Sequence, residues 1–196
     1  MLTEIFLFCL CAYICGSIPF GVLLAKKQRI DIRKHGSGNI GATNIARTLG
    51  KKAGLLTLVG DIFKGWLVVF LASLWFGKIT VVALSGLTVF LGHLFSIFLN
   101  FKGGKGVATG FGVLSFIMPL PTLISVAIFI LCLNISGYIS LSSILAAIIL
   151  PVMGIYFKTP LPFIYLSVIL GLFTLQKHHD NILRLVEGTE PKFLKK

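Results

Sequence analysis

Apolar residues run along this chain in blocks longer than a helix in a soluble protein requires. Residues 5–25 carry no charge, and at 1.5 Å per residue they are long enough to cross about 30 Å of hydrocarbon. Residues 53–77 form a second block, interrupted by Asp61 and Lys64, and 79–101 a third whose one ionisable residue is His93. Then 52 residues, 106–157, pass without Asp, Glu, Lys or Arg, followed by another 18 at 159–176. As one helix the 52 would be roughly 78 Å long, far beyond a single crossing. Turn-forming residues at Pro119-Leu120-Pro121 and Asn134-Ile135-Ser136-Gly137 divide them into 106–119, 122–134 and 138–157. The first two pieces are short, which leaves one of them open to a re-entrant course. The pattern predicts an all-α integral membrane protein, a polytopic bundle of seven transmembrane helices in one domain over 1–196.

Charge orients the bundle. Lys and Arg number 18 against 6 Asp and Glu. Eight cations fall in 26–52, Lys102 and Lys105 follow the third block, and Lys177, Arg184, Lys192, Lys195 and Lys196 lie in the tail; Lys78 and Lys158 sit alone in turns. The positive-inside rule puts the three rich segments in the cytoplasm and the two lone lysines outside, with the N-terminus outside and the C-terminus cytoplasmic. The only charge ahead of the first block is Glu4; a signal peptide needs a basic start, so this span is expected to remain. Composition adds that 56% of residues are hydrophobic and mean hydropathy is +0.98. A net charge of +12 on such a chain argues against nucleic acid and for an anionic lipid surface or anionic substrates. Cys9, Cys11, Cys15 and Cys132 all fall in apolar blocks with no C-x-x-C pair, which makes them small buried hydrophobes and gives no metal site.

Three cytoplasmic segments hold most of the candidate chemistry. In residues 34–47, KHGSGNIGATNIAR, Gly36, Gly38 and Gly41 let backbone N–H groups converge ahead of a predicted helix, with Ser37, Asn39, Thr43 and Asn44 as polar lining. Such a loop suits an anion, and Arg47 adds a planar fork for phosphate oxygens. A flexible basic loop resting on anionic headgroups is the plainer alternative. Residues 101–110, FKGGKGVATG, superficially suggest a nucleotide P-loop, but G-x-x-x-x-G-K-[ST] ending at Lys105 needs Gly and Ser/Thr where Leu99 and Gly106 stand. Phosphate binding by Lys105 and the amides of Gly103, Gly104 and Gly106 survives that test; ATPase chemistry does not. In the tail, His178, Asn181 and Arg184 recur at helical spacing where the last span exits. His178 has the pKa range of a general base, although polar residues anchoring the interface would look the same. Within the spans, Asp61 and Lys64 are placed to pair, and such a pair either orients a loop or acts directly. His93 reads as a hydrogen-bonded core histidine. Pro19, after Ser17-Ile18, is able to kink the first span and free carbonyls for partners.

Taken in order, GSIPFG at 16–21, GSGNIGATNIAR at 36–47, GHLF at 92–95, FKGGKGVAT at 101–109, and His178, Asn181, Arg184, Gly188, Glu190 and Lys192 resemble the bacterial acyl-phosphate glycerol-3-phosphate acyltransferases (PlsY). The Asp61…Lys64-Gly65 pattern is in place, and the likeness runs nearly end to end. It implies transfer of a fatty acyl group from acyl phosphate to the 1-hydroxyl of sn-glycerol 3-phosphate, giving lysophosphatidic acid and inorganic phosphate. No cofactor is implied, and neither acyl-CoA nor acyl carrier protein is used directly. Consistent with this, the chain lacks the H-x-x-x-x-D box of other glycerol-phosphate acyltransferases. The family's site is expected in the cytoplasmic membrane, facing the cytoplasm, with room for contact with the soluble enzyme that makes acyl phosphate. Lys105 and Arg47 would hold phosphate with Ser37 completing the pocket, and His178 and Asn181 would orient or deprotonate the acceptor hydroxyl. Glu190 would brace the tail. A substrate phosphate is an alternative proton acceptor to His178.

Two other classes fit less. A transporter of a phosphorylated metabolite wants its site at mid-bilayer, whereas the polar residues cluster on one side. A structural protein held on anionic lipid leaves the Gly-Gly-Lys-Gly loop and the His178/Asn181 pair unexplained.

Overall fold

The computed structural model describes residues 1–193, so Lys195 and Lys196, counted above among the tail cations, lie outside the described residues. Among the described residues every regular element is helical: α1 Leu2–Ser17, α2 Phe20–Lys27, α3 Ala42–Leu49, α4 Lys51–Phe76, α5 Ile79–Leu94, α6 Val107–Ile117, α7 Pro119–Ser136, α8 Ile139–Tyr156, α9 Leu161–Lys177 and α10 His179–Val186, with 3-10 turns at Ile32–Lys34 and Ile97–Leu99. Phe6, Leu55, Trp75, Leu123 and Leu172 are among many large apolar side chains left exposed. Lipid, not water, is the solvent for such faces, and the chain is an all-α integral membrane protein.

Among the described residues four apolar helices are long enough to cross a bilayer, and counting each of the bent pairs α1/α2 and α9/α10 as one span raises the number to six. At 11 residues, α6 rises only about 16 Å. The expected block 106–119 is therefore the short piece. The expected 122–134 is not short, because α7 starts at Pro119 and runs 18 residues. Pro119 and Pro121 lie in the first turn of α7, where a missing N–H costs nothing, so they open a helix instead of forming the loop between two. Gly137, with φ 79°, closes α7.

Two other expectations change. The first span is not one helix over 5–25: it breaks at Ile18-Pro19 and bends by 40°. Pro19 has no N–H and forces Ile18 into an extended conformation, φ −61° and ψ 115°. The third span does not stay helical to Phe101. It ends at Leu94, because residues 95–106 fold back beneath it and their amides take its terminal carbonyls: Gly103 N–H donates to Leu94 and Gly104 N–H to His93.

The chain forms two compact units, Met1–Phe116 and the part from Ile117 onward. In the first, α1 packs on α5, and α4 on α3 and α5. A Cβ at Gly16 would meet the Val89 carbonyl and one at Gly92 the Tyr13 carbonyl, so α1 and α5 cross with backbones in contact, as small residues permit in membranes. In the second, α7 packs on α8, α8 on α9, and α10 on both α8 and α9. Its tail is tied down where Phe193 N–H donates to the Gly137 carbonyl at 2.8 Å.

Candidate active site

The segment between α2 and α4 is anchored from below by apolar residues. Ile32, Ile40 and Ile45 are buried with Val22, Ala25, Ala53 and Leu99, each isoleucine contributing about 1.5–3 kcal/mol. Asp31 caps the 3-10 turn by accepting from the Arg33 amide and from its Nε at 3.0 Å. The hydrogen bond from the Arg33 side chain holds the Asp31 carboxyl below its ordinary range. At the loop's centre is the side chain of Asn44. Its Nδ2 donates to the His35 carbonyl at 3.0 Å and the Asn39 carbonyl at 2.8 Å, and its Oδ1 accepts from the Ser37 amide at 3.0 Å. Gly36 and Gly38 take φ of 60° and 69°, in the left-handed region that glycine adopts without strain. Asn39 Oδ1 accepts from the Gly41 amide at 3.2 Å, a turn that leads into α3 at Ala42. Ser37 and Arg47 are exposed, Asn39, Gly41 and Thr43 half-buried. Asn44, expected among the phosphate-binding groups, spends its amide on the loop itself.

The second glycine-rich loop is built on main chain. Besides the two bonds to the end of α5, the Ser96 carbonyl turns the chain by accepting from the amides of both Leu99 and Phe101. Gly106, φ 83°, precedes α6, and its carbonyl accepts the first helical bond from Gly110 at 2.7 Å. The amides of the first turn of α6 follow directly on Lys105, an arrangement suited to an anion. Thr109 in that turn is fully buried, and its Oγ1 has no hydrogen-bond partner among the described residues. Thr109 closes the FKGGKGVAT stretch, but its place there pointed to no role of its own.

Beneath this loop is a charge cluster. Lys64 Nζ lies 2.8 Å from Asp61 Oδ1, 2.9 Å from His93 Nδ1 and 3.0 Å from the Ile18 carbonyl freed by Pro19. All three side chains are nearly inaccessible. The neighbouring freed carbonyl, Ser17, accepts from Ser96 Oγ at 2.6 Å, and Tyr13 Oη donates to the Phe95 carbonyl. The broken first span, α4, the end of α5 and the glycine loop are thus joined by polar groups. His93, read from sequence as a hydrogen-bonded core histidine, is buried and hydrogen-bonded, and its partner lies in this cluster.

In the second unit Glu190 is the hub. Its Oε1 accepts from Ser140 Oγ at 2.6 Å and Asn181 Nδ2 at 2.7 Å, and its Oε2 from Arg184 Nε at 2.8 Å. Partial burial pushes the carboxyl up, but these three donors outweigh it and hold it below its ordinary value. His178 caps the end of α9, is buried, and its Nδ1 is 2.8 Å from the Thr174 carbonyl. A carbonyl only accepts, so Nδ1 carries the proton and Nε2 is the basic nitrogen of the neutral ring. Ser140 lies 50 residues from Glu190, and no local pattern could have joined them.

The family model described as glycerol-3-phosphate acyltransferase matches residues 6–188. Two relatives named glycerol-3-phosphate acyltransferase are similar over nearly their whole length. That of Trichlorobacter lovleyi is 50% identical, covering 93% of this chain and 94% of its own. That of Geobacter sulfurreducens is 46% identical, with 98% and 99% covered. Among solved structures, the chain is similar to PlsY (YgiH), an integral membrane glycerol 3-phosphate acyltransferase, in its glycerol 3-phosphate form: TM-score 0.94, 36% identity, 97% of this chain and 96% of that one. The lysophosphatidic acid form of the same protein gives a TM-score of 0.91 at 36% identity, over 96% and 95% of the two chains.

Proposed function

The chain belongs to the PlsY family of integral membrane glycerol-3-phosphate acyltransferases, and we propose that it transfers a fatty acyl group from acyl phosphate to the 1-hydroxyl of sn-glycerol 3-phosphate. The observation that carries this reading is the pair of cationic glycine-rich loops, each with backbone amides gathered ahead of a helix and a cation beside them. Both substrates of the proposed reaction bear a phosphate, and two such loops answer that need.

The chemistry asks little more than positioning. The acceptor hydroxyl oxygen attacks the acyl carbon, the bond from that carbon to the phosphate oxygen breaks, and phosphate departs with the electron pair. An acyl phosphate is a mixed anhydride with a good leaving group, so no covalent enzyme intermediate is required. Lys105, with the Gly106 amide, and Arg47, with Ser37, Asn39 and Thr43, hold phosphate and stabilise charge on it. The amides of Gly38, Gly41, Gly103 and Gly104, expected among the phosphate-binding groups, instead donate to His35, Asn39, Leu94 and His93 and keep the two loops in shape. Asn44 keeps its loop in shape. Asn181 orients the acceptor hydroxyl, whose proton goes to His178 Nε2 or to a substrate phosphate. The apolar blocks and the distribution of cations support seven crossings of a bacterial inner membrane, the N-terminus outside and the site toward the cytoplasm, within reach of the soluble enzyme that supplies acyl phosphate.

The donor is tested by giving purified protein labelled glycerol 3-phosphate with either palmitoyl phosphate or palmitoyl-CoA. Labelled lysophosphatidic acid from the phosphate alone supports the assignment; equal product from the thioester overturns it. His178→Ala decides the proton: retention of most of the rate assigns it to phosphate, and loss assigns it to His178.

A further inference from the structure

A lysine ammonium offers three N–H groups and no acceptor. Lys64 has three acceptors around Nζ, at 2.8, 2.9 and 3.0 Å: the Asp61 carboxylate, His93 Nδ1 and the Ile18 carbonyl. His93 Nδ1 also lies 3.5 Å from Asp61 Oδ1. In the neutral tautomer whose Nδ1 accepts from Lys64, the ring carries its proton on Nε2. That edge of the ring faces the glycine loop: a Cβ placed on Gly104 would meet His93 Nε2 first, then Cε1 at 3.1 Å and Cδ2 at 3.3 Å. The same histidine's carbonyl accepts from the Gly104 amide at 3.1 Å. Ring and main chain of one residue therefore support the same glycine, and the ring's angle is set by an ion pair deeper in the membrane.

We propose that Asp61, Lys64 and His93 form a positioning relay for the Gly103–Gly106 loop, in which the ion pair fixes the His93 ring and the ring fixes the height and tilt of Gly104 and the amides beside it. The proposal rests on the reading that this loop holds a substrate phosphate. None of the three residues touches the reacting atoms; each acts through the loop. An isolated pair at this depth would cost desolvation that Coulomb attraction only partly returns. Its use here is geometric: the ammonium joins the break in the first span, α4 and α5 at one point, directly under the loop. Pro19 belongs to the same device, because the kink is what releases the Ile18 carbonyl to Lys64.

Two substitutions at one residue separate the relay from bulk stability. His93→Asn keeps an acceptor near the Nδ1 position for Lys64 but withdraws the group that reaches Gly104. His93→Gln carries an amide out to the Nε2 position. Steady-state kinetics in detergent, varying each phosphate substrate in turn, should show His93→Asn raising KM roughly tenfold for one substrate, with kcat changed less, and His93→Gln recovering part of the loss. The affected substrate should be the one whose KM rises in Lys105→Ala. Coupling gives a second readout that does not depend on either variant alone. Gly104→Ala presses its methyl on the ring in the native protein but meets no ring end in a His93→Asn background, so its penalty should fall several-fold there.

Additive penalties in that cycle, or His93→Asn shifting both KM values equally, would overturn the relay while leaving the phosphate loop standing. If Lys105→Ala moves neither KM, the phosphate reading of the loop fails, and the relay fails with it.

Discussion

The two glycine-rich loops look alike in sequence and are held in opposite ways. The loop at 34–47 is organised by a side chain: the Asn44 amide makes three main-chain hydrogen bonds, two to the carbonyls flanking Gly36–Gly38 and one from the Ser37 amide between them. The loop at 101–106 is organised by main chain and by its floor, with Gly103 and Gly104 bonded to the last carbonyls of α5 and resting on His93. Glycine therefore means different things in the two places. In the first it supplies a positive φ at Gly36 and Gly38. In the second, Gly106 also takes a positive φ, but Gly103 supplies absence of volume, since a Cβ there would run into the His93 and Leu94 carbonyls. A phosphate-binding loop can be made from glycine by either route, and the route decides which substitutions it survives.

The largest effect should come from Gly103→Ala. The obstructing atoms are backbone and cannot rotate away, so the loop must shift, and misplacement by about 1 Å costs on the order of 100-fold in kcat/KM. Survival of near-native kcat/KM would mean the loop is not seated as described. Asn44→Ala comes next. It leaves two carbonyls and the Ser37 amide without their partner, at about 1–3 kcal/mol for each group that water does not reach. Faster hydrogen exchange at Ser37, with exchange in α5 unchanged, would confirm that the damage is confined to the side-chain-built loop; equal loosening of both loops would erase the distinction.

Glu190 offers a smaller effect, in the other unit. Its carboxyl is held below its ordinary value, so its stabilising contribution is present above the unfolded-state pKa of about 4.3 and is lost as pH falls through the lower folded value. The tail should stay docked at neutral and mildly acidic pH and release only under stronger acid. Glu190→Gln should remove that pH dependence, measured by proteolysis of the tail, and cost about 1–3 kcal/mol. The smallest effect is expected from Gly41→Ala. There φ is −77°, and a Cβ would find only the Asn39 side chain, at 3.7 Å and beyond. Thermal stability should drop by no more than about 1 kcal/mol, the difference between Gly and Ala at a helix N-cap.

Local chemistry in the sequence anticipated much of this. Pro19 marked the kink and the freed carbonyls, the charge-free blocks marked the membrane, and the loops announced themselves by glycine. What was not legible lies in long-range meetings. Lys64 and His93 are 29 residues apart and Lys64 and Ile18 46, so the sequence could suggest the Asp61–Lys64 pair but not what it supports. The end of α5 was hidden because Phe95–Phe101 is apolar enough to read as membrane, while the amides that end the helix come from Gly103 and Gly104. Pro119 and Pro121 misled because proline stops a helix only in its interior and is welcome in its first turn.

The central claim is that this membrane protein transfers an acyl group from acyl phosphate to glycerol 3-phosphate with Lys105 holding phosphate. The direct test is inorganic phosphate release by purified protein given palmitoyl phosphate, with and without glycerol 3-phosphate, beside Lys105→Ala. Release that requires the acceptor, matches lysophosphatidic acid one to one and collapses in Lys105→Ala is the predicted result. Well-folded protein that releases no acceptor-dependent phosphate would contradict it.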